Sequence, residues 1–448
     1  MKSDKRSHYI DQIIAHLQEN ETEPEDFQLG LEIEHLLVKK SDCRSVAFQE
    51  ERGIADLFDI LTGKGWKACE KSGNQILCLV KEEDEINLEP GGQIEFSFGP
   101  KNSIAEIKRC YLDICRDIMP VLKKLDYSLI NLGYHPVTRI EEIPLLSKDR
   151  YRQMYHHFKS RGRFAHNMMK GTASTQVSVD YQNPADFDKK LKVASWLIPI
   201  FYAIFDNSPI FEGRREDKWV LRFRIWDQCD HDRCGILPGI FDRDFYSYRD
   251  YAGYIIDLPA IYNPEKKKEY LGEISFAKLY QRLGRTELQP EDFEHMLSFA
   301  FNDVRAKEYL EIRMADSLPY PLFFGYLALI KGIFYQEENL NYYYDKIKDI
   351  NRDSILQTFD KISERGIETC YLEDKTLKEW GEDLIFRARK GLDKDENLMQ
   401  LTNLENYLAR TMPPRKRFSG KEISFDSLKY ADLETGLGCE LADEIKLS

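Results

Sequence analysis

The sequence is poor in the features that usually place a chain at once. Its nine cysteines follow no regular spacing, which excludes a small disulfide-stapled fold, and the odd count suits reduced thiols in the cytoplasm. The longest apolar run, Val193 to Phe205, contains Ser195 and Pro199 and falls short of the roughly 20 residues of a bilayer span. Early Lys and Arg residues are followed by no continuous apolar stretch, so no secretory signal is expected. There is no Gly-x-x-x-x-Gly-Lys-Ser/Thr loop, and Gly63, Lys64 and Gly65 are too short a run for a dinucleotide fingerprint. Phosphates, if bound, must be held by metal and arginine. Positive charge is also scarce: 64 Lys and Arg against 77 Asp and Glu leave a formal charge of -13, which argues against a nucleic-acid partner. An anionic substrate then needs a locally positive site. No internal repeat stands out.

What the chain does have is carboxylates spaced two apart inside apolar runs. Glu32 and Glu34 alternate with Leu29, Leu31 and Ile33, and Gln93, Glu95 and Ser97 alternate with Ile94 and Phe96. In an extended strand this spacing sends the acids to one face and the apolar residues to the other. Thr172, Ser174, Gln176, Ser178 and Asp180 alternate in the same way with Ala173, Val177 and Val179. So do Arg222, Arg224 and Trp226 with Leu221, Phe223 and Ile225, and Glu311 and Arg313 with Leu310 and Ile312. Solvated strand faces are the ordinary explanation of any one such segment. Five segments rich in Glu, Gln and Arg predict a single antiparallel sheet with an apolar back and a polar, concave front. Clustered carboxylates repel unless a cation lies between them, and hard oxygen ligands suit magnesium.

Periodicity predicts an amphipathic helix near 5–19, a first strand near 27–38, a helix near 51–62, and strands near 75–81 and 85–97 interrupted at Pro90, Gly91 and Gly92. Those glycines serve either a turn with close approach to a ligand or a plain bulge. Ser103 and Glu106 form a capping pattern for a long helix to about 125, with a kink or break at Pro120. A strand near 127–134 and a helix near 149–160 follow. Asn183 and Pro184 begin the helix that carries the apolar run to Phe205, expected against the back of the sheet. Beyond 335 the pattern is helical near 352–364, 373–391 and 395–411, ending at Pro413 and Pro414. The polar tail from Arg415 is expected to be partly disordered or draped on the surface. The expected organisation is a catalytic sheet part over 1–340, a helical part packed on it over 341–414, and the tail over 415–448.

Cys229, His231 and Cys234 lie close enough to hold zinc, but no second Cys/His cluster completes the set, and a loop with incidental thiols is the simpler reading. Arg233 in the same loop has the guanidinium geometry to clamp a carboxylate or phosphate. His156 and His157 face different directions on a helix, which disfavours a paired metal role.

Taken in order, these segments resemble the glutamate-cysteine ligase family of the plant and bacterial type. The residues that carry the likeness are Gly30, Glu32 and Glu34; Glu89 through Ser97; Met168, Met169, Thr172 and Gln176 to Asp180; Asn207 to Pro209; Arg222, Trp226, Asp230, Arg233 and Gly235; and Glu311, Arg313 and Asp316. The resemblance implies an α+β fold, a curved antiparallel β-sheet funnel backed by helices and similar to glutamine synthetase and the guanido kinases. It implies an enzyme with ATP, glutamate and cysteine as small-molecule substrates; charge and the short apolar runs add the expectation of a cytoplasmic monomer or homodimer with no nucleic-acid or membrane partner. The γ-carboxyl of glutamate would be joined to the amine of cysteine through a γ-glutamyl phosphate, in glutathione or related thiol biosynthesis. By matching positions, Glu32, Glu34, Glu89, Glu95 and Glu311 would hold Mg2+. Arg222 would face glutamate and Arg313 the transferring phosphoryl group, with Arg150 and Arg233 assisting, and Thr172, Gln176 and Trp226 lining the substrate site. Two positions depart from the family: Gly171 stands where an arginine is common, and Ser178 where asparagine is common. Two other activities suit the same face: a carboxylate-amine ligase using a different amine, and a guanido kinase-like phosphotransferase.

Overall fold

The computed structural model describes residues 2–266, 269–347, 350–392, 395–410, 414–418 and 422–437. Helix α1 (Lys2–Glu19) leads into β1 (Leu29–Lys39), α2 (Ile54–Thr62) and the meander β2 (Lys67–Ser72), β3 (Gln75–Lys81), β4 (Asp84–Leu88) and β5 (Ile94–Lys101). Then come α3 (Ile104–Leu125), β6 (Tyr127–Ile130), α4 (Asp149–Phe158), α5 (Ala165–Gly171), β7 (Thr175–Val179), α6 (Pro184–Trp196) and α7 (Ile198–Ile204). A short pair, β8 (Ile210–Phe211) and β9 (Arg214–Arg215), precedes α8 (Leu221–Trp226), β10 (Cys234–Gly235), α9 (Tyr248–Asp257), α10 (Phe276–Arg282) and α11 (Pro290–Leu297). After β11 (Phe301–Asn302), β12 (Val304–Ala306) and β13 (Leu310–Ile312), the chain is helical: α12 (Leu322–Phe334), α13 (Glu337–Tyr344), α14 (Arg352–Arg365), α15 (Leu377–Gly391) and α16 (Asp395–Arg410).

The α+β architecture expected from the alternating segments is present. One nine-stranded sheet runs β12-β13-β7-β1-β5-β4-β3-β2, with β6 paired to the far end of β1, and its pairings are antiparallel. Leu29, Leu31, Ile33, Ile94, Phe96, Val177, Val179 and Ile312 are buried on its back, each stabilising by roughly 1.5–3 kcal/mol. Tyr111 of α3 meets Phe96 and Phe323, with ring centroids 5.8 and 4.9 Å apart, so α3 and α12 close this face.

Several expectations change. Pro120 neither breaks nor ends α3, which runs unbroken from Ile104 to Leu125; burial of Ile114, Ile118, Val121 and Leu122 offsets the roughly 3 kcal/mol of an interior proline. Asn183 does cap α6, accepting from the amides of Ala185 and Asp186. The apolar run that follows is buried, but α7 packs mainly on α14 and α15 rather than on the sheet. Strand β2 was not foreseen, and it brings Cys69 beside Cys78 in a disulfide, against the expectation of reduced thiols. The other described cysteines are free.

Instead of trailing away, the described part of the tail drapes over β6. Ile130 bridges to Asp432, the Asn131 amide donates to Ala431 O at 2.8 Å, and Leu428, Leu433 and Leu437 are buried. Pro413, the helix end expected near 411, and tail residues 438–448 lie outside the described residues.

Candidate active site

Register across the sheet explains why distant acids share a face, because residues directly opposed in antiparallel strands project the same way. Glu34 of β1 stands opposite Glu95 of β5, which stands opposite Asn87 of β4. One row along, Glu32 lies between Ser97 of β5 and Gln176 of β7, with Glu85 beyond Ser97. In the next row Ser178 separates Gly30 from Glu311, and Glu311 opposes Arg305 of β12. Glu89 joins them from the turn between β4 and β5, where its amide donates to Gln93 O at 3.0 Å and its carbonyl accepts from the Gly92 amide at 2.8 Å. The turn needs both glycines: Gly92 has φ +83°, and a Cβ on Gly91 would lie 2.2 Å from Lys170 O. The close approach is therefore to the α5 backbone.

Electrostatically the acids form two sets. Burial pushes Glu95 well above the usual carboxylate range, and the charges of Glu32, Glu89 and Glu34 push it further. Glu34 is raised to about 7 by burial and by Glu89, against the pull of Arg222 and Arg313. It accepts from the Ser174 amide at 2.8 Å and from Gln176 Nε2 at 3.2 Å. Glu32 is raised by burial and by Glu311, and Glu89 by burial. In Glu32, Glu34 and Glu89 burial outweighs the pull of the neighbouring arginines and lysines. Glu311 is the opposite case. Although fully buried, it is held well below the usual range by Arg305, Lys307 and Arg313. Arg305 donates to both its oxygens, and Arg313 Nη1 shares Oε2 at 2.9 Å. The expected metal-ligand role for Glu311 thus meets an arginine clamp.

The donor set of Glu32, Glu34, Glu89 and Glu95 fits a hard divalent cation in chemistry, and their mutual repulsion is what such an ion relieves. Among the described residues no three of these carboxyls bring oxygens within 4.8 Å of one another. The set is spread along the face rather than closed into one cage. A cavity of about 260 Å³ adjoins it, lined by Gly30, Glu32, Glu85, Ser97, Ser178 and Tyr309. A larger hollow of about 600 Å³ lies elsewhere, beside α1 and α9, and its arginines Arg6, Arg243 and Arg249 are paired with Asp257, Asp250 and Asp11.

The Arg222 segment is not a strand. Residues 221–226 form α8, entered through Val220 in the left-handed region at φ 53°, with the Val220 amide donating to Asp206 at 2.8 Å. Six residues of apolar and charged alternation leave helix and strand undecided, and this tertiary clamp selects the helix. Arg222 and Trp226 share a face in either state; in α8 the guanidinium lies 5.3 Å from the indole centroid. Arg222 Nη2 donates to Arg313 O at 3.3 Å, which ties α8 to the sheet edge. Arg313 donates to Gln176 as well as to Glu311. Glu32, Glu34, Glu89, Glu95, Gln176, Glu311, Arg313, Arg222 and Trp226 are therefore brought together.

Other expected residues serve the fold. Arg233 is fully buried, and its donors go to Asp230 at 2.7 Å, Phe299 O at 3.1 Å and Pro259 O at 2.7 Å. Nothing of it is left for a substrate. Burial and His157 act on Asp230 together with Arg233, and the two partners hold its carboxyl well below the usual range. Arg150 donates twice to Ser298 and lies over Phe299 at 4.2 Å, while its charge still reaches Glu89. Thr172 turns its hydroxyl to Met168 O at 2.7 Å. Gly171 has no room for the family's arginine, since a Cβ would meet the Tyr134 ring at 2.6 Å. His157 pairs with Asp230 at 2.6 Å and both histidines touch Tyr270, His156 edge-on to its ring and His157 through Nδ1 at 3.1 Å from its hydroxyl.

Sequence reasoning missed Arg305, Lys307 and Asp303, and it named Asp316 only as part of the resemblance, without a role. Arg305 lies in a three-residue strand, too short for alternation to register. Asp316 accepts from the Asn207 amide at 2.6 Å and Ser208 Oγ at 2.8 Å, and burial and Asp206 raise it to about 7.

Three comparisons bear on the chain as a whole. The family model described as glutamate-cysteine ligase family 2 (GCS2) matches residues 28–407. The chain is 27% identical over 394 residues to the chloroplastic glutamate-cysteine ligase of Nicotiana tabacum, and 28% over 392 residues to that of Arabidopsis thaliana, covering 85% of this chain and 73% of each relative. Among solved structures, the glutamate-cysteine ligase of Francisella tularensis in complex with AMP superposes with a TM-score of 0.54 at 14% identity, over 94% of this chain and 92% of that one. That likeness bears on the fold alone.

Proposed function

This chain belongs to glutamate-cysteine ligase family 2, and from that premise we propose that it is an ATP- and magnesium-dependent ligase joining the γ-carboxyl of glutamate to the amine of cysteine. The observation that carries the reading is the polar sheet face itself, with four buried carboxyls on β1, β5 and the β4–β5 turn beside the arginines of β12, β13 and α8. Phosphoryl transfer spreads negative charge over oxygens, so catalysis is mostly positioning and cationic stabilisation.

Glu32, Glu34, Glu89 and Glu95 would hold Mg2+, which when bound would neutralise phosphate charge. Glu311 holds Arg305 and Arg313 in place; Arg313, also held by Gln176, stands where a transferring phosphoryl group meets the acid face. Arg222 offers its guanidinium to a substrate carboxylate. The γ-carboxylate of glutamate attacks the terminal phosphorus of ATP, ADP leaves, and the cysteine amine then displaces phosphate and gives up a proton. No protein nucleophile takes part.

Purified protein with ATP, MgCl2, glutamate and cysteine should release ADP only when both amino acids are present, with γ-glutamylcysteine seen by mass spectrometry. Turnover with another amine but not with cysteine would replace the acceptor, and phosphoryl exchange without a peptide product would replace the reaction class.

A further inference from the structure

Two oppositely charged buried side chains, Arg222 of α8 and Asp303 just before β12, share no ion pair among the described residues. Arg222 is 4% exposed, and its Nε and Nη1 find no partner among the described residues. The indole Nε1 of Trp226, stacked on the same guanidinium, is also without one. Asp303 is 5% exposed; its Oδ1 accepts from Tyr202 Oη at 2.6 Å, and its Oδ2 has no partner among the described residues. The charge of Arg222 acts on Asp303, yet the two share no ion pair among the described residues.

Each side chain is fixed from behind. Tyr202, on α7, packs edge-on to Phe223 at 5.5 Å, next to Arg222 in the chain. The carbonyl of Asp303 accepts the Arg313 amide at 3.0 Å, which continues the β12–β13 ladder by one pair and sets Asp303 beside Arg313 on the polar face. Leaving such groups unpaired costs about 1–3 kcal/mol each, more when charged, so the arrangement calls for a ligand that satisfies both. Three N–H groups without acceptors, on two stacked side chains, suit a carboxylate, and one free carboxylate oxygen suits an ammonium. A group bearing both charges a few bonds apart is the backbone end of an α-amino acid.

We propose that Asp303, held by Tyr202, binds the α-ammonium of an amino-acid substrate whose α-carboxylate is held by Arg222 and Trp226, so that its reacting end points toward Arg313 and Glu34. The ligase reading identifies the amino acid as glutamate or cysteine, and to that extent the inference rests on it. Both carry the recognised zwitterion, and the experiment separates them.

Asp303→Asn keeps the Oδ1 acceptor for Tyr202 and removes the charge. Calorimetry on the full-length protein would compare glutamate with glutarate, and cysteine with 3-mercaptopropionate, each pair differing only by the amino group. For one pair the wild type should favour the amino acid at least about tenfold. Asp303→Asn should bring that ratio close to one, with the KM for ATP and the melting midpoint unchanged. The pair that collapses names the donor or the acceptor as the occupant. Ratios that stay at their wild-type values in both pairs, or a wild type that discriminates in neither, would overturn the proposal and leave bound water as the filler. If Asp303→Asn fails to fold, Tyr202→Phe serves instead: it frees Asp303 Oδ1 and should lower the same ratio severalfold, and no change would be equally fatal. Discrimination by a protein that releases no ADP would refute the ligase reading and spare this site, while ADP release without discrimination would do the reverse.

Discussion

Arg222 and Arg233 carry the same side chain eleven positions apart, and both were expected from the sequence to touch substrate, yet the structure gives them opposite physical roles. Arg233→Ala would strip Asp230, itself buried, of a charged partner and leave the carbonyls of Phe299 and Pro259 without donors. Breaking one side of a buried pair costs about 3–5 kcal/mol, so about 4 kcal/mol is expected. Unfolding entropy near 2.1 cal/mol/K per residue gives a chain of this length about 0.9 kcal/mol/K, and the melting midpoint should fall by about 4 °C. Arg222→Ala gives up only one long bond, at 3.3 Å, and a stacked indole, while removing two buried donors that lacked acceptors. Its stability should lie within about 1 kcal/mol of wild type, and its loss should appear in the KM for glutamate. Differential scanning calorimetry of both variants, paired with steady-state kinetics, decides the matter. An Arg233→Ala protein that melts with wild type and binds glutamate poorly would refute the reasoning.

Two further outcomes follow from the charges. Burial and mutual repulsion raise the carboxyls of Glu34, to about 7, and Glu95, well above the usual range, so the folded state holds protons that the unfolded chain releases. Without cations, stability from these groups is full below about pH 4.5 and is lost as pH rises toward 7 and beyond; magnesium with nucleotide should therefore raise the melting midpoint more at about pH 8 than at about pH 5.5, and equal shifts at both would contradict the acid-array reading. In the tail, Arg415 is buried against Asp206, which also receives the Val220 amide at the entry to α8. Arg415→Ala should cost about 3 kcal/mol and raise the KM for glutamate by loosening Arg222 and Trp226; normal kinetics in that variant would release the tail from any part in the site.

Much of the site was legible because period-two alternation is a local property. Glu32, Glu34 and Glu95 declare their face through Leu31, Ile33 and Ile94, whatever strands pair with them. Glu311 was legible as a member of the face but not as the occupant of an arginine clamp, since Arg305 reaches it only through the pairing of β12 with β13. The helical state of 221–226 was illegible, because a six-residue alternation is decided by Asp206 and Val220 rather than by its own pattern. The Cys69 to Cys78 bridge was hidden because β2, whose burial alternates only between exposed and half-buried, carries no apolar signal.

Taken by itself, the order of residues determined which side chains face each side of β1, β5 and β7, where α6 begins, and that acids and arginines would share one polar face. Short-range sterics and burial are enough for that. Tertiary structure alone decided which arginines remain free for substrate, which are consumed by the fold, and that Asp303 lies within reach of the charge on Arg222. Those outcomes depend on which strands and helices become neighbours, and a charge is available only where no other part of the chain has already satisfied it.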